Sequence, residues 1–280
     1  MYLITEKKRL TPEAFRITVR APRIARRRRA GQFVILRVDE TGERYPLTIV
    51  DSDPDRGTVT LVVQEVGTST LKLGRLEKGD SIRDVTGPLG HPTEIVRKKR
   101  IAALAGGIGA AEILPVIRSF REAGNAVTAV IGARTRQLLI LEEELRDAAD
   151  RLFITTDDGS YGRPGLVTDV LRELINDGWL PDLVYAIGPI GMMKATADLT
   201  RPYEIKTIVS LNALMVDGTG MCGCCRVRVG EETRFTCVEG PDFDGHRVDF
   251  EELLQRQRIY LPEEEESREK YLEKSETRTP

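Results

Sequence analysis

The chain has 280 residues, a net charge of −2 and 40% hydrophobic residues. This length allows two compact domains and a smaller module, and the near-neutral charge argues against nucleic acid as a principal partner. The N-terminus lacks the apolar stretch of a signal peptide. The segment that most resembles a membrane helix, residues 101–117, contains Glu112 and Pro115 and is shorter than the roughly 20 residues that a span needs. We therefore expect a cytoplasmic protein that does not enter a membrane.

Residues 1–98 alternate short apolar runs with turn residues. Strands are predicted at residues 15–20, 32–38, 47–50, 58–65 and 81–85. Short, evenly spaced strands separated by Gly and Pro are typical of an antiparallel β-barrel. The sequence Gly-Pro-Leu-Gly at residues 87–90 predicts a tight turn that closes this barrel.

Two segments of the predicted barrel carry groups suited to a ligand. The sequence Arg-Tyr-Pro-Leu-Thr at residues 44–48 places a cation and a hydroxyl at the two ends of a strand start. The sequence Gly-Thr-Ser-Thr at residues 67–70 precedes a predicted helix at residues 71–76, an arrangement that offers N–H groups and hydroxyls to a phosphate. Taken singly, the arginine could form a surface ion pair and the second segment an ordinary helix cap. Their order and spacing together favour a binding site.

Residues 99–208 follow a different pattern, in which strands and helices alternate. Strands are predicted at residues 101–104, 127–131, 152–155 and 183–187. Helices are predicted from the end of the first strand to residue 122 and at residues 139–149, 166–176 and 192–199. Such alternation predicts an α/β domain with a doubly wound parallel sheet.

Two glycine-containing loops end strands of this predicted sheet. Residues 106–109, Gly-Gly-Ile-Gly, follow the first strand and open a helix, where the pyrophosphate of a dinucleotide binds in such folds. The match to G-x-G-x-x-G fails at its third glycine, which is Glu112. A second loop contains Gly188 and Pro189 after the fourth strand. Ligands gather along the carboxyl edge of such sheets.

All 4 cysteines lie within residues 217–237. Asp217, Cys222, Cys225 and Cys237 have the spacing of a plant-type [2Fe–2S] loop with Asp in the first position. A zinc site would require the adjacent Cys224 and Cys225 to turn to one ion, and a disulfide would require an oxidising compartment. Both remain alternatives to the favoured iron–sulfur module at residues 209–250. Cys224 is then a free thiol or a substitute ligand.

Residues 251–280 are rich in charge and have a small apolar nucleus. This composition predicts either a solvent-exposed helix or a strap onto a second subunit. The last part, residues 270–280, is predicted to be a loose tail.

The ordered motifs R-x-P-L-T, G-T-S-T, G-G-I-G, G-P-x-G and the cysteine loop resemble the ferredoxin–NADP reductase superfamily over nearly all of residues 1–250. Within it the chain is similar to the group that contains the dihydroorotate dehydrogenase electron-transfer subunit and the small subunit of NADH-dependent ferredoxin:NADP oxidoreductase. Asp at position 217 and the sequence Thr-Asp-Asp-Gly-Ser-Tyr-Gly at residues 156–162 favour the second of these. The dihydroorotate-type subunit is expected to have Cys at position 217.

The resemblance implies residues for three cofactors. By resemblance, Arg44 would bind the FAD phosphates. The flavin ring would lie along Pro46, Leu47 and Thr48, with Thr48 near N5. Residues that would hold the FAD pyrophosphate are Gly67, Thr68, Ser69 and Thr70. Residues that would face NAD(H) are Gly106, Gly107, Gly109, Gly188 and Pro189, with Asp157 and Asp158 near the adenine ribose. The four ligands of the [2Fe–2S] cluster would be Asp217, Cys222, Cys225 and Cys237.

The implied function is electron transfer between NAD(H), FAD and a [2Fe–2S] cluster. The protein would be a subunit of a flavin-based, bifurcating oxidoreductase, bound to a larger flavin and iron–sulfur subunit and serving ferredoxin through that complex. No catalytic residue beyond the cofactors is expected, because the cofactors carry the reactivity. The alternatives are a dihydroorotate dehydrogenase electron-transfer subunit and a non-catalytic, zinc-stabilised binding module. With Asp157 and Asp158 near the ribose, we expect NAD(H) to be preferred over NADP(H). Arg134 and Arg136 would act in the opposite direction, since a cation favours a 2′-phosphate.

Overall fold

The computed structural model describes residues 1–276 of the chain and the side chains of residues 1–274. The elements of the N-terminal part are β1 (Tyr2–Thr11), β2 (Ala14–Arg20), α1 (Pro22–Ala25), β3 (Phe33–Arg37), β4 (Tyr45–Asp53), β5 (Thr58–Gln64), α2 (Thr68–Gly74), β6 (Ser81–Ile82) and β7 (Asp84–Leu89). The strands form one antiparallel sheet in the order β6-β1-β2-β5-β4-β3-β7. Phe15, Ile17 and Leu61 are fully buried inside it. The predicted antiparallel barrel is confirmed.

Two features of the barrel differ from the prediction. Strand β1 was not predicted, because Glu6, Lys7, Lys8 and Arg9 hide its alternation, and only Ile4 and Thr11 of this strand are buried. The predicted closing turn at residues 87–90 is wrong, since residues 87–89 lie in β7, where Leu89 pairs with Phe33 of β3. The register shifts between Phe33 and Ile35 at this point. A local irregularity of this kind accommodates a proline, which has no N–H for the ladder.

The second part contains β8 (Arg100–Gly106), α3 (Gly109–Glu122), β9 (Ala126–Ala133), α4 (Glu142–Ala148), β10 (Arg151–Thr156), β11 (Arg163–Pro164), α5 (Val167–Asn176), β12 (Leu183–Ile187), α6 (Ile190–Thr200) and β13 (Lys206–Ser210). The strand order is β11-β10-β9-β8-β12-β13, with every pair parallel. The chain therefore winds in both directions from β8, which confirms the predicted doubly wound sheet. Helix α4 begins later than predicted, since Leu139 is extended and Leu141 has a left-handed backbone with φ +56°.

The C-terminal part contains β14 (Arg226–Val229), β15 (Glu232–Phe235), α7 (Thr236–Glu239), β16 (Asp242–Asp244), α8 (Phe250–Gln257) and α9 (Leu261–Glu276). Strand β16 adds antiparallel to β13 at the edge of the second sheet. One apolar cluster joins Phe33 and Ile35 of the barrel, Val209 of the sheet, and Val227 and Phe250 of the C-terminal part. The three parts therefore meet around a shared core.

The charged C-terminal segment folds back onto the barrel. The Thr68 and Ser267 hydroxyls lie 2.9 Å apart, joining α2 to α9, and the Arg75 guanidinium lies 4.6 Å from the centre of the Tyr271 ring. The predicted loose tail is wrong for residues 270–276, which are helical. The rest of that prediction, residues 277–280, lies outside the described residues. Among the described helices, none combines the length and apolar character that crossing a membrane requires.

Candidate functional site

The outer face of the barrel forms a platform between the other two parts. Strand alternation sends successive side chains of β3 and β4 to opposite faces. Tyr45 and Leu47 pack against the barrel core, whereas Ile35, which pairs with Pro46, belongs to the core shared with the C-terminal part. Pro46 and Thr48 therefore share the outer face with Ile35. We call Ile35, Pro46 and Thr48 the outer platform. Leu47, which was expected along a flavin ring, contributes its backbone to this face.

The two glycine-containing loops of the α/β part meet at the switch point of the sheet, between β8 and β12. A Cβ on Gly188 would lie 3.0 Å from the Gly106 nitrogen, and one on Gly106 would lie 3.0 Å from Pro189 Cδ. A Cβ on Gly109 would lie only 2.4 Å from the Ile187 carbonyl oxygen. The fold thus brings together the residues predicted for the nucleotide, and it leaves room for no side chain at position 109.

Gly107 plays a different part in the same loop. Its backbone has φ +58°, and a Cβ there would meet nothing within 4 Å. Its N–H donates to the Gly132 carbonyl oxygen at 2.8 Å. Glycine is required here by backbone conformation and not by lack of space. The exposed side of Gly107 leaves a bare backbone surface for a ligand.

Glu112 connects this loop to the outer platform. It lies half-buried in the first turn of α3, a helix that packs against β4. Burial raises the pKa of Glu112 to about 7, against a smaller lowering by Thr48. The sequence prediction treated Glu112 only as a mismatch to the glycine motif. An acidic residue one turn after such a loop, inside an otherwise apolar helix, was the available signal.

The residues predicted for the FAD phosphates are only partly brought together. Arg44 is exposed at the start of β4 and lines a cavity of about 270 Å³ together with Asp217 and Thr219. At α2, the Thr70 hydroxyl accepts from the N–H groups of Val66 and Gly67, at 3.0 and 3.1 Å. The helix-cap role that was the alternative for this segment is therefore present for Thr70.

The other two hydroxyls at the start of α2 also have partners. The Ser69 hydroxyl donates to the Glu43 carboxylate at 3.0 Å, and Thr68 lies against Ser267 of α9. Helix α9 thus packs beside the segment predicted to hold a pyrophosphate.

The charged residues predicted to select the nucleotide share one edge of the sheet. The N–H groups of Asp157 and Asp158 donate to the carbonyl oxygens of Ala133 and Arg134, at 3.1 and 3.2 Å. The side chain and backbone of Ser160 hold the pKa of Asp158 below its usual range. Arg136 lies 5.0 Å from the centre of the Tyr161 ring. Carboxylates and guanidinium groups are therefore both available to an adenine ribose at this edge.

The loop between β13 and β14 carries most of the predicted cluster ligands. The Asp217 carboxylate accepts from the N–H groups of Thr219 and Cys222, each at 2.7 Å. These bonds, that of Thr219 first, hold the pKa of Asp217 below its usual range. A Cβ on Gly218 would lie 2.7 Å from both Ile35 and Leu89. The loop is therefore anchored on the outer platform of the barrel.

The predicted ligands form two pairs. The Sγ atoms of Cys225 and Cys237 lie 3.1 Å apart and are buried, and burial, with the Cys225 thiol as a second cause, raises the pKa of Cys237 to about 12. Asp217 and Cys222 lie together elsewhere in the loop, where the Cys222 backbone N–H donates to the Asp217 carboxylate. All 4 cysteines are free of disulfides. Within the described part of the chain, no three His, Cys, Asp or Glu side chains surround one point.

This two-and-two arrangement fits a binuclear centre. A [2Fe–2S] cluster takes two protein ligands at each iron, whereas a structural zinc ion takes four around one point. Cys224 contacts the loop through its backbone, since its N–H donates to the Cys222 Sγ at 3.5 Å and its carbonyl oxygen accepts from Arg256 at 3.0 Å. The residues present therefore fit a [2Fe–2S] cluster better than a single zinc ion.

A buried polar cluster fixes the C-terminal part against the other two. The Asp242 carboxylate accepts from the Tyr185 hydroxyl at 2.8 Å and from the Thr93 hydroxyl at 2.7 Å. Burial raises the pKa of Asp242. These three side chains come from β16, β12 and the segment after the barrel, so the cluster links all three parts. The sequence prediction missed it because the residues are far apart in the chain.

Comparison with known proteins identifies relatives along the whole chain. The iron–sulfur cluster binding domain of dihydroorotate dehydrogenase B matches residues 212–249. A Clostridium beijerinckii protein from the adh 3′ region is 48% identical, covering 94% of this chain and 92% of the relative. A Thermotoga maritima homologue of the dihydroorotate dehydrogenase B (NAD(+)) electron-transfer subunit is 42% identical, covering 96% and 95%.

A solved structure is similar over the same length. It is a chain from the structure of NADH-dependent reduced ferredoxin–NADP oxidoreductase, which was used to study flavin-based electron bifurcation. The identity is 40%, the TM-score is 0.91, and the match covers 97% of this chain and 98% of that one. The barrel, the α/β sheet and the cysteine-containing part are therefore arranged alike in the two chains.

Proposed function

The chain belongs to the family of dihydroorotate dehydrogenase B electron-transfer subunits and their homologues, and we propose that it carries FAD and a [2Fe–2S] cluster in a bifurcating NADH-dependent ferredoxin:NADP oxidoreductase. The observation that carries this choice within the family is the full-length similarity to a chain of that enzyme. Asp217 at the first ligand position supports it. A cytoplasmic location is part of the proposal, because thiolate ligands persist in a reducing compartment.

FAD supplies a hydride acceptor at N5 and then exchanges electrons singly, which NAD(H) cannot do. We assign its ring to the outer platform, with Pro46 and the Leu47 backbone beneath it and Thr48 at the N5 edge. Arg44 would bind a phosphate with a charge-assisted bond. Gly67, Thr68, Ser69 and Thr70 would approach the pyrophosphate, with Thr70 also keeping the α2 cap formed.

NAD(H) is assigned to the switch point of the sheet. Gly106, Gly107 and Gly109 would let the dinucleotide approach the backbone, and Gly188 and Pro189 would border it from the adjacent loop. Asp157 and Asp158 would accept from the ribose 2′-hydroxyl and repel a 2′-phosphate. In diaphorase assays we expect a lower KM and a higher kcat with NADH than with NADPH. The reverse preference would assign Arg134 and Arg136 to a 2′-phosphate.

The [2Fe–2S] cluster is assigned to Asp217, Cys222, Cys225 and Cys237. The cysteine loop contacts the barrel at Ile35, which also belongs to the outer platform. With the flavin ring on the outer platform and the cluster in this loop, electrons would pass between them across this contact. The remaining partners are a larger flavin- and iron–sulfur-containing subunit and, through it, ferredoxin.

Purification of the protein from its host with its bound partners tests this function. We expect a brown protein with stoichiometric FAD and iron, bound to a larger flavin and iron–sulfur subunit. Copurification of a dihydroorotate dehydrogenase catalytic subunit instead would favour the dihydroorotate pathway subunit, which the family match also supports. A colourless protein that contains zinc and no flavin would leave only the binding-module alternative.

A further inference from the structure

Helix α9 is exposed along almost its whole length. Among its described side chains, that of Tyr271 is half-buried and all the others are exposed. A helix in a protein is stabilised mainly by packing of an apolar face, and the two leucines of α9 are both exposed. The helix lies on α2 through contacts of Ser267 with Thr68 and of Tyr271 with Arg75. It therefore gains little from the apolar cores of the chain.

A polar cleft of about 370 Å³ lies between α2 and α9. The α9 residues that line it recur at helical spacing, so one face of the helix borders the cleft along its length. Three lysines and two glutamates supply the charges, and the remaining residues supply hydroxyl groups: Lys72, Lys270 and Lys274, with Thr68, Ser267 and Tyr271. Ammonium and hydroxyl groups bind phosphate oxygens. The cleft therefore suits a phosphate-containing ligand better than an apolar one.

The lysines of the cleft have only weak partners in the structure. Lys270 pairs with Glu266 one turn earlier on the same helix, and the Lys72 ammonium lies 3.6 Å from the Asp39 carboxylate. Both pairs are open to water, where an ion pair contributes little to stability. A diphosphate carries more charge than one carboxylate, so it can take the place of these partners.

Resting on the proposed function, we propose that α9 is a strap that closes over the adenosine diphosphate half of FAD, which binds in the cleft between α2 and α9. The segment assigned to the FAD pyrophosphate contains Thr68, whose hydroxyl lies 2.9 Å from that of Ser267. A hydroxyl can donate one hydrogen bond and accept another. Thr68 can therefore accept from Ser267 and donate to a phosphate oxygen at the same time, so the strap and the cofactor are compatible.

Each wall of the cleft has a role toward this half of the cofactor. Lys270 of α9 and Lys72 of α2 would bind the adenylate phosphate from opposite sides with charge-assisted bonds. Tyr271 lines the same cleft and lies against the Arg75 guanidinium, and an aromatic ring at this place favours the adenine base. The flavin ring is assigned to the outer platform and not to the cleft. Helix α9 therefore recognises the part of FAD that FMN lacks.

Flavin binding to the full-length apoprotein is the first test. Lys270→Ala removes a cation of the strap, and Arg268→Ala is the matched control, because Arg268 is an exposed cation of the same helix outside the cleft. In titrations followed by flavin absorbance, FAD should bind Lys270→Ala about tenfold more weakly than wild type, since one charge-assisted contact is lost. Arg268→Ala should bind FAD as wild type does. FMN should bind wild type and both variants equally.

Hydrogen exchange of the wild-type chain is the second test. The backbone amides of α9 should exchange about tenfold more slowly with FAD bound than in the apoprotein, because opening the strap then breaks the contact with the phosphate. FMN should leave their exchange unchanged. The same measurement on the complex with the larger subunit shows whether that subunit covers the helix.

The outcomes separate the strap from the function on which it rests. If wild type binds FAD, but Lys270→Ala binds it equally well or FAD does not slow exchange in α9, the strap is wrong and the function stands. Equal weakening of FAD and FMN in Lys270→Ala would also overturn the strap, because the two cofactors share only the flavin half. Protection of α9 by the larger subunit and not by FAD would assign the helix to that subunit instead. If wild type binds neither flavin, the function fails and the strap with it.

Discussion

Two glycine-rich loops of this protein obtain their shape in different ways. The sheet loop, residues 106–109, is enclosed by backbone: the Gly107 N–H donates to Gly132, and Gly109 lies against the Ile187 carbonyl. The cysteine loop, residues 217–225, lies between two strands and pairs with neither. It is held by the Asp217 carboxylate, by packing of Gly218 on the barrel, and by Arg256 on the Cys224 carbonyl oxygen.

The two loops differ in how far their conformation depends on a bound ligand. The apolar strands on both sides fix the sheet loop, so its conformation precedes nucleotide binding. The cysteine loop places the buried Cys225 thiol against the buried Cys237 thiol of α7, and burial raises the pKa of Cys237 to about 12. Iron ligands must be thiolates, so the metal supplies the charge that makes this arrangement favourable. Damage to the cysteine loop should therefore stay local, whereas damage to the sheet loop should lower the stability of the whole domain.

The largest expected effect is loss of the cluster in Cys225→Ser. Cys225 is a buried cysteine that we assign to the cluster, and with serine in its place we expect almost no bound iron or acid-labile sulfide, while FAD is retained. Cys224→Ser is the matched control, since it changes the adjacent cysteine, and should keep both iron and spectrum. Loss of FAD together with iron in Cys225→Ser would show that the damage is not local. Iron loss in Cys224→Ser would instead support a four-cysteine site.

The next effect is a pH-dependent gain of stability in Glu112→Gln. The folded state raises the pKa of Glu112 from 4.5 to about 7, so folded wild type binds this proton more tightly than unfolded chain. Its stability should then fall as pH rises from 4.5 to about 7. Gln does not ionise, so the variant should be more stable than wild type by about 3 kcal/mol above about pH 7. Below pH 4.5 the two proteins should be equally stable. Urea unfolding of both proteins at about pH 4 and about pH 8 measures the difference.

A smaller effect separates two glycines of the sheet loop. Gly109→Ala forces a Cβ to within 2.4 Å of a backbone carbonyl oxygen and should lower the free energy of unfolding by about 3 kcal/mol. Gly107→Ala enters open space at φ +58° and should cost about 1 kcal/mol of backbone strain. Thermal unfolding of the two variants checks this order. Equal melting temperatures would mean that the sheet loop is as adaptable as the cysteine loop.

The smallest effect is spectroscopic. Asp217→Cys converts the cluster loop to the ordinary plant-type spacing, so the cluster should assemble with unchanged iron content. Its redox potential and EPR g-values should shift, because a thiolate is softer and more covalent than a carboxylate. An unchanged EPR spectrum would remove Asp217 from the ligand set, and Asp217→Ala would then be harmless.

Where the apolar pattern is clear, the first and last residues of an element could be predicted from the sequence. Strand β12 was predicted at the residues where it occurs, because its five apolar residues are buried on both faces. Strand β1 was missed, since a strand at the side of a barrel can expose most of its side chains. The predicted loose tail was wrong at residues 270–276, because a helix that packs on another part of the chain has no local signal for that contact.

The three parts, their order and the spacing of the cysteines follow from the sequence alone, because apolar period, glycine position and cysteine spacing are local properties of a chain. Which groups share a surface depends on how the chain packs in three dimensions. Packing joined Thr93 to Tyr185 and Asp242, and it turned Leu47 toward the barrel core. Burial and pairing depend on residues far apart in the chain, and packing alone brings them together.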